Sequence, residues 1–459
     1  MKSLPLELLE RYSGPTPRYT SFPTVMHWTQ PPSGQAWIAD LAAALGAGGA
    51  RTALYVHIPF CQSLCTFCGC NIRIVRNHAL AAPYVETLLQ EFALYRARLA
   101  GLPLHLGELH LGGGTPTFLP AEVLDRLLDG LLPHCSVAAD ADLAIEADPR
   151  HTSREQLAVL RRHGFTRLSL GVQDFDPRVQ EIVNREQSFE LVQRLVGSAR
   201  ELGFTSISFD LIHGLPLQTV DSLRATFDAA ARLAPDRISF LPYAHVPWIR
   251  PSQRQYTEAD LPDRTTRQQL FELGRERMGS WGMVEIGFDQ YARASDPLAM
   301  ALAAGRLHRN FMGFTASATQ ALIGLGVSSI GHGLGAYAQN EKNLQQYEQR
   351  LQAQLLPLQR GHVLTTDEQR IRAHLWQLLS GAATVITTAE QSLTWWQLAL
   401  ERLEPMLRDG LLQQSAEAGN LQLAVTEQGR AFLRQICAAL DPHQQQVPEL
   451  AAAPLSVSA

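Results

Sequence analysis

TALYVHIPFCQSLCTFCGC, residues 52–70, decides how this chain is read. Its first part, Thr52–Ile58, is β-rich and mostly apolar, as a strand buried in a parallel sheet must be. Its last ten residues hold four of the chain's six cysteines, Cys61, Cys65, Cys68 and Cys70, in one loop. A structural zinc site takes its ligands as two separated pairs. Here every candidate cysteine lies in a single C-x3-C-x2-C run, and no second C-x2-C stands elsewhere. Thiolates suit iron–sulfur cubanes. Cys61, Cys65 and Cys68 can therefore hold three corners of a 4Fe–4S cluster and leave one iron open for a cofactor or substrate. The remaining cysteines, Cys135 and Cys437, read as small buried apolar residues.

Working outward from that strand, five more β-rich runs follow: Leu106–Leu111, Asp142–Ala147, Arg167–Val172, Ser206–Ile212 and Arg237–Tyr243. Helical patterns separate them, among them one with Val85, Leu88, Leu89 and Phe92 on one face and another over Ala121–Leu132. Strict strand–helix alternation predicts a parallel sheet with the helices outside. Six units fall short of a closed eight-stranded barrel, so the expected fold is α/β, a partial (β/α)6 barrel with a curved parallel sheet. The chemistry-bearing residues follow the strands: the cysteines, then GGGTPT (Gly112–Thr117), Glu146 and Gln173. Parallel α/β folds place their sites at that end of the sheet. Three glycines let backbone approach a ligand closely, and Glu146 at a strand end can accept hydrogen bonds from a ribose or an amino group.

Around this barrel (51–260) the sequence predicts an extended arm over 1–50, a helical extension over 261–360, a helical, winged-helix-like domain over 361–441, and a disordered tail over 442–459. Thr365 and Glu368 form a capping-box pattern, and Leu411–Gln414 with Leu421–Val425 reads as a hairpin. With 39 basic and 44 acidic residues the chain lacks the basic surface that nucleic-acid binding needs. No apolar run approaches the roughly 20 residues of a membrane span. The first residues are not a signal peptide, so the expected location is the cytoplasm. Nothing calls for an obligate oligomer, and a monomer is expected.

The cysteine run after the first strand of a six-unit sheet resembles the radical S-adenosylmethionine superfamily. Along nearly the whole chain the match tightens. YVHIPFC…CTFCGC, HLGGGTPTFL, EADPR, GVQDF, NREQ, DLIHGLP, YAH, PRYTSFPT, HRNF and GLGVSSI resemble the oxygen-independent coproporphyrinogen III oxidase family. The resemblance implies that the open iron binds the methionine moiety of S-adenosylmethionine, that reduction releases a 5′-deoxyadenosyl radical, and that two propionates of coproporphyrinogen III are decarboxylated to vinyl groups. It implies two S-adenosylmethionine molecules and a low-potential electron donor. The cluster-bound molecule would contact Tyr55, Gly113, Glu146 and Ile330. The second would contact Phe67, Gly114, Thr115, Gln173, Arg185, Asp210 and Ala244. Cys70 would stand beside the cluster without ligating it, and Cys70 and Tyr55 are the candidate catalytic residues.

From their chemistry, Arg185 could fork onto a cofactor carboxylate, Tyr55 and Phe67 could stack on adenine, and Arg18 and Arg309 could meet substrate propionates. The chain departs from the family pattern at His213 (usually Tyr), at Gln290 in Asp289-Gln290-Tyr291 (usually DHF), and at Met312 (often Gln). Those departures leave room for a haem- or porphyrin-binding chaperone or another radical reaction on a tetrapyrrole. Cys70 and the PRYTSFPT arm favour the oxidase. A zinc or DNA-binding protein is the most distant reading.

Overall fold

The structure is a computed structural model and describes residues 5–12, 14 and 16–446. The six expected strands form in order: Arg51–Ile58 (β1), His105–Gly113 (β2), Ser136–Ala147 (β3), Arg167–Gln173 (β4), Ser206–His213 (β5) and Arg237–Pro242 (β6). Each is parallel to the next. Helices between them, including Ala81–Arg98, Ala121–Leu131 and Phe189–Leu202, pack on the outer face. Local chemistry sets their ends. Ser153 with Gln156 and Thr219 with Ser222 close capping boxes, which satisfy amide groups that the first helical turn leaves free.

The sheet is twice as wide as those six strands. Met283–Gly287 (β7), Gln290–Arg293 (β8), Thr319–Leu325 (β9), Ile330–His332 (β10), Ala336–Asn340 (β11) and Leu358–Val363 (β12) join it. The order is β12-β11-β10-β9-β1-β2-β3-β4-β5-β6-β8-β7. β9 runs parallel to β1, while the other added strands are antiparallel to their neighbours. The expected helical extension over 261–360 is thus corrected: besides the helices Arg264–Ser280, Pro297–Ala303 and Leu344–Gln352 it contributes short strands to the main sheet. Its strands are short and glycine-rich or mixed in polarity, so they carry neither clear period, and only tertiary pairing makes them strands. A two-stranded hairpin, His308–Asn310 with Gly313–Thr315, closes the open side of the curve. Asn310 and Thr315 on it donate to the buried carboxylate of Glu108 on β2, at 3.0 and 2.5 Å.

The arm also differs from expectation. Gly34–Leu45 is a helix, capped by Ser33 and buried through Trp37, Leu41, Ala44 and Leu45. Trp37 donates to the Tyr95 hydroxyl at 3.0 Å. Its alanine-rich sequence blurs the amphipathic period that would have revealed it. Upstream, Thr16–Thr24 is irregular as expected, and it inserts Tyr19 and Phe22 into a second core built with the C-terminal helices.

That C-terminal part runs helix Thr366–Gly381, strand Ala383–Ile386, helix Thr394–Arg408, hairpin Leu412–Glu417 with Asn420–Val425, and helix Leu433–Leu440. The Thr365–Glu368 capping box is present. Residues 442–446, expected to begin a disordered tail, form a short 3-10 turn whose His443 bonds Glu368 at 3.1 Å. The rest of that expected tail lies outside the described residues.

Asp289, at the β7–β8 turn, ties arm and C-terminal helix to the barrel. Its Oδ2 accepts from Arg18 at 2.5 Å and from Arg434 at 2.6 Å, and both Asp289 and Arg434 are buried. Burial alone would raise the carboxyl pKa, but the two guanidiniums lower it below its ordinary value. Removing one partner of a buried pair strands the other charge at a cost of about 3–5 kcal/mol. Asp289→Ala should therefore lower stability by about that amount, read as a lower denaturant midpoint, whereas Arg11→Ala, on an exposed pair with Asp409, should leave the midpoint nearly unchanged.

Candidate active site

The cysteine loop is braced at its base. Phe60–Cys61 pairs in parallel with Arg73–Ile74, so both ends of the loop leave one point of the barrel rim. Cys61 Sγ lies 3.4 Å from the Thr115 hydroxyl, and burial pushes its thiol up to about 11 against that hydrogen bond. Cys65 Sγ accepts from Arg185 at 3.3 Å and from Arg150 at 3.6 Å. The Cys70 amide donates to Cys68 Sγ at 3.4 Å. A hydrogen bond from Cys70 lowers the Cys68 thiol, with Arg250 and Arg185 adding to the effect, while the same contact raises Cys70. Cys70 is exposed. At a Zn–S distance of about 2.3 Å, thiolates around one zinc lie about 3.8 Å apart. Among the described residues no three of these sulfurs stand within 4.8 Å of one another. The loop spreads its thiols too widely for one ion, as a cube of irons requires.

Next to the loop, Gly112–Gly114 end β2. Gly113 has φ +114°, and a Cβ there would sit 2.7 Å from the His57 ring; one on Gly114 would sit 2.8 Å from the Phe60 carbonyl oxygen. Only glycine fits this crossing of β1 and β2. Three consecutive amides are engaged internally: Gly113 on Glu146, Gly114 on Ile58 and Thr115 on Phe60. That leaves carbonyl oxygens beyond the strand end as the groups to receive an ammonium. Glu146 also accepts from His110 at 3.1 Å. Burial raises its pKa, but His110 and the Gly113 amide bring it below the ordinary carboxylate value, so it stays anionic. The Tyr55 ring stacks on His110, and its hydroxyl meets His57 Nδ1 at 3.1 Å.

Gln173 closes β4 at φ +66°, a left-handed conformation that non-glycine residues seldom adopt. Its Oε1 is buried and without a partner. Strain joined to an unsatisfied polar atom marks a ligand position. Asp210 on β5 has its pKa raised to about 6, by burial first and then by the charge of Glu146. Four of the five N–H groups of Arg185 are committed to Cys65, Asp148 and twice to the Gly171 carbonyl, so it holds the cysteine loop and keeps one N–H for a ligand. Phe67 packs against the cluster of Val179, Val183, Ile212 and Leu215. The Ala244 carbonyl accepts from Gln253 at 3.1 Å, and Ile330 is buried on β10.

Of the two arginines set aside for substrate, Arg18 is bonded to Asp289, whereas Arg309 is buried under the aromatic faces of Phe288 and Phe314. Among the departures, Gln290 and Met312 line a cavity of ≈ 150 Å³ inside the barrel with Glu146 and Asp210. His213 instead packs on Phe240 and Phe271 in the core. Four residues escaped the sequence reading: His57, His110, Asp148 and Arg150. His110 stands two residues before the glycine run, and Asp148 and Arg150 close the EADPR motif, so their signal was present but its partners were not.

The donor set suits the implied groups: three spread thiols, a glycine cradle offering carbonyls, an anionic Glu146 and an unsatisfied Gln173 oxygen.

Comparison with known proteins agrees. The model of the radical SAM superfamily matches residues 55–230. The chain is 39% identical to an oxygen-independent coproporphyrinogen III oxidase of Escherichia coli over 96% of both chains. It is 35% identical to the protein of that name from Pseudomonas aeruginosa, over 95% of both. The solved structure of coproporphyrinogen III oxidase from Escherichia coli, described as a radical SAM enzyme, matches with a TM-score of 0.87 at 37% identity, covering 96% of this chain and 99% of that one.

Two outcomes follow from the geometry. Cys61→Ala, Cys65→Ala and Cys68→Ala should each abolish iron binding after reconstitution, while Cys70→Ala keeps most of it, as measured by iron content and visible absorption. Because the Asp210 carboxylate is lost as pH falls through about 6, S-adenosylmethionine affinity should fall below that pH and be flat in Asp210→Asn, as measured by equilibrium binding from pH 5 to 8.

Proposed function

The chain belongs to the oxygen-independent coproporphyrinogen III oxidase family of the radical SAM superfamily, and from that premise we propose that it oxidatively decarboxylates two propionates of coproporphyrinogen III to give protoporphyrinogen IX in haem biosynthesis. The observation that carries this reading is the meeting of three thiols, a glycine cradle and an unsatisfied Gln173 at one mouth of a fold shared along nearly the whole chain. When bound, the cluster and S-adenosylmethionine would supply one electron and a carbon radical able to take hydrogen from the propionate β-carbon, and each propionate would then lose carbon dioxide and pass one electron to an external acceptor to give the vinyl group.

The residues of the chain do the rest. Cys61, Cys65 and Cys68 ligate the cluster. Carbonyls at Gly112–Gly114 and the anionic Glu146 receive the ammonium of the first S-adenosylmethionine, with Tyr55 and Ile330 beside it. His110 keeps Glu146 charged, and the Tyr55 hydroxyl, His57 and the Asn71 carbonyl form a chain that fixes the His57 ring. A second S-adenosylmethionine would contact Phe67, Gly114, Thr115, Gln173, Arg185, Asp210 and Ala244, with Arg185 also holding Cys65 and Asp148. Cys70 and Tyr55 are the proposed catalytic side chains, Cys70 because its exposed thiol stands next to Cys68.

Gln290 and Met312 face the same interior space as Asp210. Their effect should therefore fall on the second cofactor or on substrate orientation, and not on the cluster. The protein is further read as a cytoplasmic monomer that takes its electron from a low-potential donor. Among the described residues no helix is long and apolar enough to cross a membrane.

An anaerobic turnover assay with reconstituted protein, reductant, S-adenosylmethionine and coproporphyrinogen III tests the proposal. Mass spectrometry should find protoporphyrinogen IX with matching 5′-deoxyadenosine. Deoxyadenosine without loss of carbon dioxide from the tetrapyrrole would keep the radical chemistry and refute the substrate.

A further inference from the structure

A second cavity, of ≈ 470 Å³, lies between the hairpin His308–Thr315, strands β10 and β11, and the C-terminal helix Thr366–Gly381. It is separate from the barrel interior, with which it shares only residues of the hairpin wall. Its size falls within the range of small-molecule sites. In a chain with more acidic than basic residues, none of its lining residues is acidic, and Arg309 and Arg372 both line it. Among the described residues neither arginine has a carboxylate within ion-pair distance. Arg309 donates to the carbonyls of Tyr19 and Arg18, and Arg372 donates to Leu334 and lies over the Tyr337 ring.

A buried guanidinium without a counter-charge is costly, and a ligand carboxylate would remove that cost. Two further groups point the same way: His332 Nε2 and Ser317 Oγ are buried without partners, and both residues line the cavity. Burial pushes His332 down to about 4, so at neutral pH it offers a hydrogen bond and no charge. The rest of the wall is aromatic, with Phe311, Tyr337 and Trp376.

The cavity wall also packs against a residue assigned to the radical site. On β10 the side chains of Ile330 and His332 share one face, and across the ladder Ile330 pairs with Gln339 and His332 with Tyr337. Ile330, Tyr337 and Phe311 pack in one apolar cluster, so the aromatic wall ends on the residue placed beside the first S-adenosylmethionine.

We propose that this cavity is the tetrapyrrole docking site, with the macrocycle against Phe311, Tyr337 and Trp376 and a propionate held by Arg309 and Arg372. It rests on the substrate reading above and extends it to a place and to named residues. A propionate that is not decarboxylated is the natural anchor, because its contacts persist from substrate to product. The same arrangement gives a purpose to the arm, the hairpin and the C-terminal domain, each of which contributes a wall.

The test is anaerobic binding of coproporphyrin III, the stable oxidised form of the ring system, to the reconstituted holoenzyme, followed by absorbance and fluorescence. Loss of a charge-assisted hydrogen bond corresponds to about tenfold or more in affinity. Arg372→Ala should weaken binding by at least about that factor, Arg372→Lys should recover part of it, and Trp376→Ala should weaken it independently. Iron content and substrate-free cleavage of S-adenosylmethionine should be unchanged. The tetramethyl ester of the porphyrin should bind wild type and Arg372→Ala equally weakly. Unchanged affinity in Arg372→Ala and Trp376→Ala, with normal iron, would place the substrate elsewhere and overturn the proposal while leaving the function intact. Failure of the wild type to bind the porphyrin, together with absence of turnover, would instead overturn the function on which it rests.

Discussion

One buried guanidinium holds the site together. Arg185 reaches from the segment after β4 to the Gly171 carbonyl, to Asp148 beyond β3, and to the sulfur of Cys65. It thereby fixes the cysteine loop to two strand ends of the barrel. The charge balance is local: burial pushes the Asp148 carboxyl up, but Arg185 and Arg150 pull it down to about 2. A buried ion pair adds little net stability over an apolar core, because desolvation offsets attraction. Its value lies in geometry. The Cys65 sulfur meets two cationic donors whose own positions are set by a carboxylate, which fixes that part of the cysteine loop.

The rest of the barrel follows from how closely β1 and β2 approach. Glycine at 113 and 114 lets the backbones cross where any side chain would collide with His57 or Phe60. Interior positions of the curved sheet are polar, including His110, Glu146, Ser169, Asp210 and Ser239. Such an interior must be sealed with satisfied partners, because an unpaired buried polar group is expensive. The hairpin His308–Thr315 does this through Asn310 and Thr315, which both donate to Glu108. Burial raises the Glu108 carboxyl to about 7 despite those bonds. Sealing the barrel and walling the second cavity are thus done by one short hairpin, with Asn310 and Thr315 lining both spaces.

Which parts of this were legible in the sequence depends on the distance between partners. The six parallel strands were legible because each is an apolar run with a helix on either side, and the cysteine loop because its ligands are adjacent. β9 was not, since its pairing with β1 joins residues more than 260 positions apart and its own run, TQALIGL, fits helix and strand equally. The helix Gly34–Leu45 was hidden by alanines on both its buried and its exposed face, which blur the apolar period. At the site, Glu146 and Gln173 could be named from strand ends alone. The commitment of Arg185 to Cys65 and Asp148 could not, because motif spacing records neither partner. Arg309 could be named from HRNF, but Arg372 carries no local signal, and their shared cavity exists only once arm, hairpin and C-terminal domain meet.

The three departures from the family pattern separate by the same logic. His213 is a packing residue: burial holds it neutral, pushed down to about 4, and its ring lies on Phe240 and Phe271. Replacing one aromatic ring by another there preserves shape and leaves no charge behind. Gln290 and Met312 are different, since both look into the interior space that holds Asp210 and Glu146. Glutamine keeps a donor and an acceptor but cannot change charge, and methionine offers a soft, polarisable surface with no donor. Together they make that wall less able to move protons and more able to adapt in shape. Asp210 and Glu108, which burial raises to about 6 and about 7, are therefore the carboxyls of this interior that change charge near neutral pH, and the barrel strands themselves hold both in place.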